Sequence, residues 1–251
     1  MAGAGRMGLS IADIVAVSDD LSAAGVWTRH PDKVTSAPLP SSAYIGDDIA
    51  GLAAVSDVII DFSLPAGTEQ VVDAAAKAGV PLVSGVSGLS DAQAALLKSA
   101  ATRIPVVYDR NMSQGVAVLT RLVADASAAL GPEFSIRIDE THHVHKKDAP
   151  SGTALKLGEA AAAARGLDFT EAKHFDDESS PQPGQIEFQV ERRGKVPGDH
   201  SVMLVSDSER LTLSHSVASR DVFARGAVTA ARWIVGKPAG FYTMEDVLFG
   251  E

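Results

Sequence analysis

The chain of 251 residues contains no cysteine, which excludes disulfides and thiolate chemistry and is compatible with a cytosolic setting. It has no apolar run near the roughly 20 residues a membrane-spanning helix needs. Its start shows no charged-then-apolar leader of the secretory kind, so the expected place is the cytoplasm, with no membrane partner. Positive charge is also scarce. Lys and Arg number 22 against 32 Asp and Glu, a net charge of −10, which argues against nucleic acid as the main partner. Internal repeats are absent. Apolar content of 45% with 22% charged residues is ordinary for a globular protein, and the length suits one compact unit or two modest domains.

An acidic protein that binds an acidic ligand must gather its cations locally. The stretch Glu140-Thr141-His142-His143-Val144-His145-Lys146-Lys147-Asp148-Ala149-Pro150-Ser151-Gly152-Thr153 does so, with three histidines and two lysines within residues 142–147. Pro150 and Ser151 end an extended run, and the residues that follow read as a helix over 154–165. A helix opened by Ser-Gly-Thr offers backbone N–H groups, two hydroxyls and the positive end of a dipole, which together make an anion site. The combination suggests a pocket for a small acidic substrate that needs a proton. Two plainer readings compete. The histidines could ligate a metal, but no Cys is present, nearby acids are sparse, and on a strand His143 and His145 would face away from His142. The run could also be a solvated basic loop.

At the other end, Gly3, Gly5 and Gly8 form Gly-x-Gly-x-x-Gly, which in a dinucleotide fold allows a tight turn and close approach of pyrophosphate to a helix N-terminus. The expected helix looks short here, because Asp13–Asp20 alternates, is rich in β-branched residues and reads as a strand. The acid expected on the ribose then falls at Asp19. Beyond a loop-like stretch over 21–55 with a helical piece at 49–54, strands are expected at 58–62, 80–84 and 104–108, separated by helices over 69–78 and from a Ser90 cap to about 101. That alternation argues for a doubly wound parallel sheet. A helix over 115–130 follows, and then the pattern changes. Strands at 134–140, 186–192, 200–206 and 209–216 alternate at period two, as in an antiparallel sheet. A helix over 221–235 and a closing segment at 242–249 complete the chain.

The run His142-His143-Val144-His145-Lys146-Lys147-Asp148-Ala149-Pro150-Ser151-Gly152-Thr153-Ala154-Leu155 closely resembles the signature of the 4-hydroxy-tetrahydrodipicolinate reductase family, and Gly5-Arg6-Met7-Gly8 is similar to its opening. The resemblance continues more loosely through most of the chain. It implies an α/β fold: a Rossmann-like parallel-sheet domain, 1–113 with 220–251, and an α+β substrate and oligomerisation domain, 114–219, with a mostly antiparallel open sheet. Relative to the family the first strand is missing and the first helix shortened, as in a truncated start.

The implied activity is reduction of a small cyclic dicarboxylate in the diaminopimelate route to lysine, with no metal, in a homotetramer. By resemblance His142 is the general acid/base and Lys146 supplies a proton or positive charge. His143, Ser151, Gly152, Thr153 and Arg220 bind substrate. The cofactor residues are Gly3, Gly5, Arg6, Met7, Gly8 and Asp19, then Gly85, Val86 and Ser87, where the family has Gly-Thr-Thr, and Asp109, Arg110, Asn111 and Met112. Asp109 and Arg110 depart from the family pattern. Asp20 occupies a place where some members carry arginine, so the expectation is NADH over NADPH. Gly198-Asp199-His200-Ser201 resembles the family's Gly-Glu-His-Thr, or is a simple hairpin turn. Hydride transfer also implies closure of the two domains on binding. Two rival readings remain: a binding-only paralogue with a compromised cofactor site, and a reductase of another cyclic imine acid.

Overall fold

Two periodicities compete over residues 6–17, and the helical one wins. Gly8, Ile11, Ala12 and Val15 are buried at helix spacing while Val17 is left largely exposed. The computed structural model, which describes residues 1–34, 37–175 and 184–250, therefore has a helix α1 over Arg6–Ala16. The strand expected over 13–20 does not form, and the first helix is not short. β-branched residues carry only a weak strand preference, which burial of one helical face overrides.

The chain continues through β1 (Gly25–Trp27), β2 (Tyr44–Gly46), α2 (Ile49–Ala54), β3 (Ile59–Asp61), α3 (Pro65–Ala78), β4 (Leu82–Ser84), α4 (Asp91–Ala100) and β5 (Pro105–Tyr108). Helix α4 opens with a reciprocal capping box between Ser90 and Gln93, as its sequence suggests. Then come α5 (Gln114–Leu130), β6 (Ser135–His142), α6 (Gly152–Ala164), α7 (Phe169–Ala172), β7 (Lys173–His174), β8 (Ile186–Arg192), β9 (Asp199–Val205) and β10 (Arg210–Ser216). The chain ends with α8 (Asp221–Ile234), β11 (Gly240–Tyr242) and α9 (Met244–Phe249). These elements fall into two compact units, Met1–Gln114 with Asp221–Glu251, and Gly115–Arg220. No helix among the described residues is long and apolar enough to cross a membrane.

In the first unit every strand pairing is parallel, with orders β2-β1 and β11-β5-β4-β3. The slot between β1 and β3 is filled by the first three residues. Ala2 bridges Trp27 and Asp61, its N–H reaching the Ile60 carbonyl at 2.8 Å and its carbonyl accepting from the Phe62 N–H at 3.1 Å. Both neighbouring strands thus keep their ladder bonds. Helix α3 packs on α2 and α4, while α8 packs on α1 and on β3, β4 and β5. A helix–strand alternation with fully buried strands is what a doubly wound parallel sheet requires.

The second unit holds a five-stranded mixed sheet in the order β10-β9-β6-β8-β7. Strand β9 runs antiparallel to β6 and β10, while β8 runs parallel to β6 and β7. The parallel pairing of β8 follows from α6, since a helix inserted between β6 and β8 makes a crossover rather than a hairpin. Along β6 the side chains of Ile136, Ile138, Glu140 and His142 are buried, and the apolar two join Leu157, Ala161, Phe188, Val202 and Leu204 in the core.

Helix α6 lies close to this sheet because Gly158 has no side chain. A Cβ there would stand 2.6 Å from Cζ of Phe188 and 2.8 Å from Cε2 of Phe169. Gly158→Ala is expected to destabilise the unit by about 1–3 kcal/mol through overpacking, read as a lower urea midpoint. An unchanged or higher midpoint would mean that the two rings yield freely.

Candidate functional site

Strand β6 ends at His142, and residues 143–150 turn back into α6. The three histidines therefore do not share a strand. His142 is buried on the core side of the sheet, His143 is half-buried and His145 is exposed. The Lys146 N–H donates to the His143 carbonyl at 3.1 Å, and its ammonium pairs with Asp148 at 2.7 Å. That contact, working against burial, holds the Asp148 carboxyl below its usual range. Arg220 places Nη2 3.3 Å from Nε2 of His143. Desolvation, then the positive charge of Arg220, keeps the His143 imidazole below its ordinary titration range. His143 and Lys146 thus lie on the loop that leads into α6, with Arg220 against His143, and Arg220 and His145 are open to solvent.

Ser151 caps α6, its hydroxyl accepting from the Ala154 N–H at 3.1 Å and lying 3.1 Å from Nε2 of His200. Its own N–H donates to Glu140 Oε1 at 3.1 Å. Ser151 is buried, and both of its polar groups are engaged inside the protein. The substrate contact expected of its side chain is corrected to a capping role, because an N-cap hydroxyl is committed to the helix it starts. Gly152 and Thr153 form the first turn of α6, which carries no acid of its own, and the Glu140 carboxylate at the Ser151 N–H is the anion placed at the positive end of the helix.

Beneath this surface lies a polar cluster that sequence reasoning missed as a unit. Glu140 Oε1 also accepts from Arg192 at 3.2 Å, and Oε2 lies 3.1 Å from Nδ1 of His142 and 3.8 Å from Nε2 of His200. Arg192 reaches onward to the carbonyls of Asp148 at 2.6 Å and Lys146 at 3.3 Å. Gly198 packs against His142, where a Cβ would stand 2.9 Å from Nε2. The alternation of β6 places Glu140 and His142 on one face, which the sequence could have signalled. The arrival of Arg192 and His200 depends on strand pairing. The Gly198–Ser201 segment is therefore more than a hairpin turn, since His200 is 3% exposed at its side chain and sits inside the cluster.

Burial pushes His200 down to about 3, helped by the nearby His142 charge and opposed by Glu140. Glu140, His142 and His200 bring three ligand-type atoms within 4.8 Å of one another. Arg192 already compensates the carboxylate, however, and a guanidinium competes with any cation for it. We read the group as a hydrogen-bonded polar core.

In the first unit the fingerprint glycines make a tight turn into a helix. Gly3 has φ +102°, and a Cβ on Gly8 would collide with the Gly3 carbonyl oxygen, so α1 starts tight against the turn. The N-cap is Gly5, exposed, without a side-chain cap and with open space where a Cβ would be. A helix start with free N–H groups, no acid in its first turn and room above it fits a pyrophosphate. Gly3 touches the Phe62–Ser63 backbone, and Gly85 packs its bare Cα on the Phe62 ring, so the loops after β3 and β4 meet this turn. Ser87 and Arg110 are exposed, whereas Val86, Asp109 and Met112 are buried. Asp109 accepts the Asn111 N–H at 3.2 Å and the Met244 N–H at 3.4 Å. Both its oxygens are engaged with backbone, so its part is corrected to holding the loop after β5.

Asp19 requires a larger correction. It follows the C-terminus of α1 and precedes β1, which places it at the amino edge of the sheet, opposite the edge where a ribose binds. Asp20 is taken up by Arg232, at 2.7 Å to Nε and 2.8 Å to Nη2, and that contact holds its carboxyl below the usual range. Neither aspartate can select between cofactors. The residues trailing β1 are instead Thr28, Arg29 and His30, the last two exposed.

Two family models match the chain, described as dihydrodipicolinate reductase N-terminus over residues 1–112 and C-terminus over 115–248. A 4-hydroxy-tetrahydrodipicolinate reductase of Anaeromyxobacter sp. is 43% identical over 253 residues, covering 98% of this chain and 94% of its own. One of Halorhodospira halophila is 46% identical over 207 residues, 81% of this chain and 78% of its own. Among solved structures, a dipicolinate-bound dihydrodipicolinate reductase from Paenisporosarcina sp. superposes with TM-score 0.74 at 19% identity, covering 99% of this chain and 97% of that one. An amine dehydrogenase of Mycobacterium smegmatis shares the fold more distantly, with TM-score 0.63 at 15% identity over 97% of this chain and 94% of its own.

Proposed function

The chain belongs to the dihydrodipicolinate reductase family, and from that membership we propose that it reduces 4-hydroxy-tetrahydrodipicolinate with a pyridine nucleotide, in lysine biosynthesis. The observation that carries the reading is the match of both family models, which together leave only a few residues uncovered. The full length of α1 behind the glycine turn removes the motive for a binding-only protein, and nothing favours a different cyclic imine acid.

The balance of the reaction is one hydride and one proton in, one water out. The reduced nicotinamide supplies the hydride. We assign the nucleotide to the first unit, 1–113 with 220–251, and the ring to the second, 114–219. Gly3, Gly5, Arg6, Met7 and Gly8 hold the pyrophosphate, and Gly85, Val86, Ser87, Arg110, Asn111 and Met112 shape the nicotinamide side. In the second unit a ring with two carboxylates meets the N–H groups of Gly152 and Thr153, with His143 and Arg220 as further contacts. His142 exchanges a proton at Nε2, and Lys146 places an ammionium where negative charge builds on the ring. The open sheet face carrying Arg137, Asp139 and Glu191 is the surface through which we expect a homotetramer to assemble.

For the cofactor we propose NADPH in place of the NADH expected from Asp20. Arg29 follows β1 with no carboxylate at 28–31, and a guanidinium there favours a 2′-phosphate. Arg29→Ala is expected to raise the KM for NADPH about 10- to 100-fold, the worth of a charge-assisted contact, with the NADH value within about twofold. An equal loss with both nucleotides would remove Arg29 from the phosphate. The activity itself is tested by nucleotide oxidation with substrate generated in place from pyruvate and aspartate semialdehyde by the preceding synthase. Absence of turnover by the folded wild-type protein would defeat the proposal.

A further inference from the structure

Glu140 is a carboxylate buried in the core face of β6, and the chemistry above makes no use of it. Burying a charge costs several kcal/mol unless it is compensated. Burial by itself would raise its carboxyl, yet the close approach of His142, the Ser151 hydrogen bond and the charge of Arg192 bring it down to about 2. It is therefore a fixed anion. Its two oxygens differ. Oε1 is held by the Ser151 N–H and by Arg192, whereas Oε2 has no hydrogen-bond partner in place.

The unpartnered oxygen faces Nδ1 of His142 at 3.1 Å, off the line of a hydrogen bond, and Nδ1 has no partner either. Two orphaned buried atoms, a ring nitrogen and a carboxylate oxygen, stand within hydrogen-bond distance of one another. Such alignment is often loose before substrate arrives. On the other side of the ring, Nε2 faces the backbone of Gly198, where a Cβ would stand only 2.9 Å away and crowd it. The imidazole is thus flanked by an anion at Nδ1 and by a residue without a side chain at Nε2.

Resting on the reductase reading, we propose that Glu140 is a positioning residue that accepts the Nδ1–H of His142 and so fixes the tautomer whose Nε2 faces the ring being reduced. Arg192 extends the same anchor. Its guanidinium grips Glu140 together with the carbonyls of Asp148 and Lys146, so the His142 tautomer and the loop carrying Lys146 share one support. His200 stands 3.8 Å from Oε2 and is bound to Ser151, which keeps it from displacing His142 at the carboxylate.

Glu140→Gln tests this directly. The amide oxygen can still receive the Ser151 N–H, but the NH2 then points at Nδ1 and demands the opposite tautomer. The expected result is a fall in kcat on the order of 10²- to 10³-fold, as for a wrongly oriented imidazole, with substrate KM within about threefold. Glu140→Asp, which keeps the anion, should recover part of the loss. Long-range ¹H–¹⁵N correlations of the neutral His142 ring, assigned against His142→Asn, should show Nδ1 protonated in the wild type and Nε2 protonated in Glu140→Gln.

An Nε2-protonated His142 in the wild type would overturn the proposal without any variant, even if Glu140→Gln failed to fold. So would a Glu140→Gln enzyme with wild-type kcat. Lack of wild-type turnover would instead count against the reductase reading, while leaving the tautomer measurement to decide the role of Glu140.

Discussion

Alanine at His142 is expected to lower kcat by about 10²- to 10⁴-fold, the usual worth of a positioned general acid or base, and alanine at Lys146 by a comparable factor. His142 ends β6 with its ring buried against Gly198 and His200. Its Nδ1 faces the Glu140 carboxylate, and its Nε2 faces Gly198, which has no side chain. Removing the ring leaves the hydride donor intact and the proton without a carrier. Lys146 stands on the adjoining turn, tied to Asp148 at 2.7 Å. A cation on that turn offsets negative charge that grows only as electrons enter the ring, so its loss should appear in kcat more than in KM.

The double variant should lose little more than the worse single one, because two groups that serve one transition state are not additive. Lys147, the exposed neighbour, gives the control: Lys147→Ala should keep kcat within about twofold. Binding of NADPH, followed by its fluorescence, should be unchanged in all of these variants, since every one lies in the second unit. A His142→Ala enzyme within about fivefold of wild type would take the proton transfer away from this histidine.

What could be foreseen in the sequence divides along the range of the interactions involved. Helix α4 could be read from Ser90 and Gln93, because a capping box is complete within four residues. The strands β3 and β4 were marked by apolar runs that only a doubly covered sheet tolerates. Residues 13–17 were misread because Ile14, Val15 and Val17 satisfy a strand pattern locally, while burial of Ile11, Ala12 and Val15 on one helical face decides the outcome. That single error displaced the next strand and carried the ribose position to Asp19, although the true β1, Gly25–Trp27, is three residues long and has little pattern to show. Likewise β8 was expected antiparallel, since alternation fixes a face and leaves direction open. The carboxylate at Glu140 and the guanidinium at Arg192 meet only because β6 and β8 run parallel with His142 opposite Arg192. A site assembled by register is invisible to motif reading, whereas Ser151-Gly152-Thr153 announces itself because a helix start is local.

The protein is expected to lose roughly 2–3 kcal/mol of unfolding free energy between pH 6.5 and 4.5 through His200 alone. The ring is buried beside His142, with Glu140 on the same strand, Ser151 at the start of α6, Lys146 on the turn and His215 across on β10. Burial, then the charge of His142, brings its titration in the folded protein to about 3, against 6.5 for a free ring. The folded pKa is the lower one, so the unfolded chain binds the proton first. Stability is full above pH 6.5 and drains as pH falls toward 3, at about 1.4 kcal/mol for each pH unit. Glu140 acts in the same sense further down, from 4.5 to about 2, where its protonation also releases Arg192 and the Ser151 N–H. His215, lowered by burial and partly restored by Asp199, adds to the upper window. Urea unfolding followed by circular dichroism at fixed ionic strength should therefore give a falling midpoint from pH 6.5 downward. His200→Gln, which keeps a polar partner for Ser151 and cannot be charged, should flatten most of the upper window while leaving the lower one in place. Equal midpoints for the wild type at pH 6.5 and 4.5 would mean that His200 takes up its proton inside the fold. The cluster would then be wet enough to admit water beside Glu140, and a carboxylate so hydrated would hold the His142 tautomer only weakly.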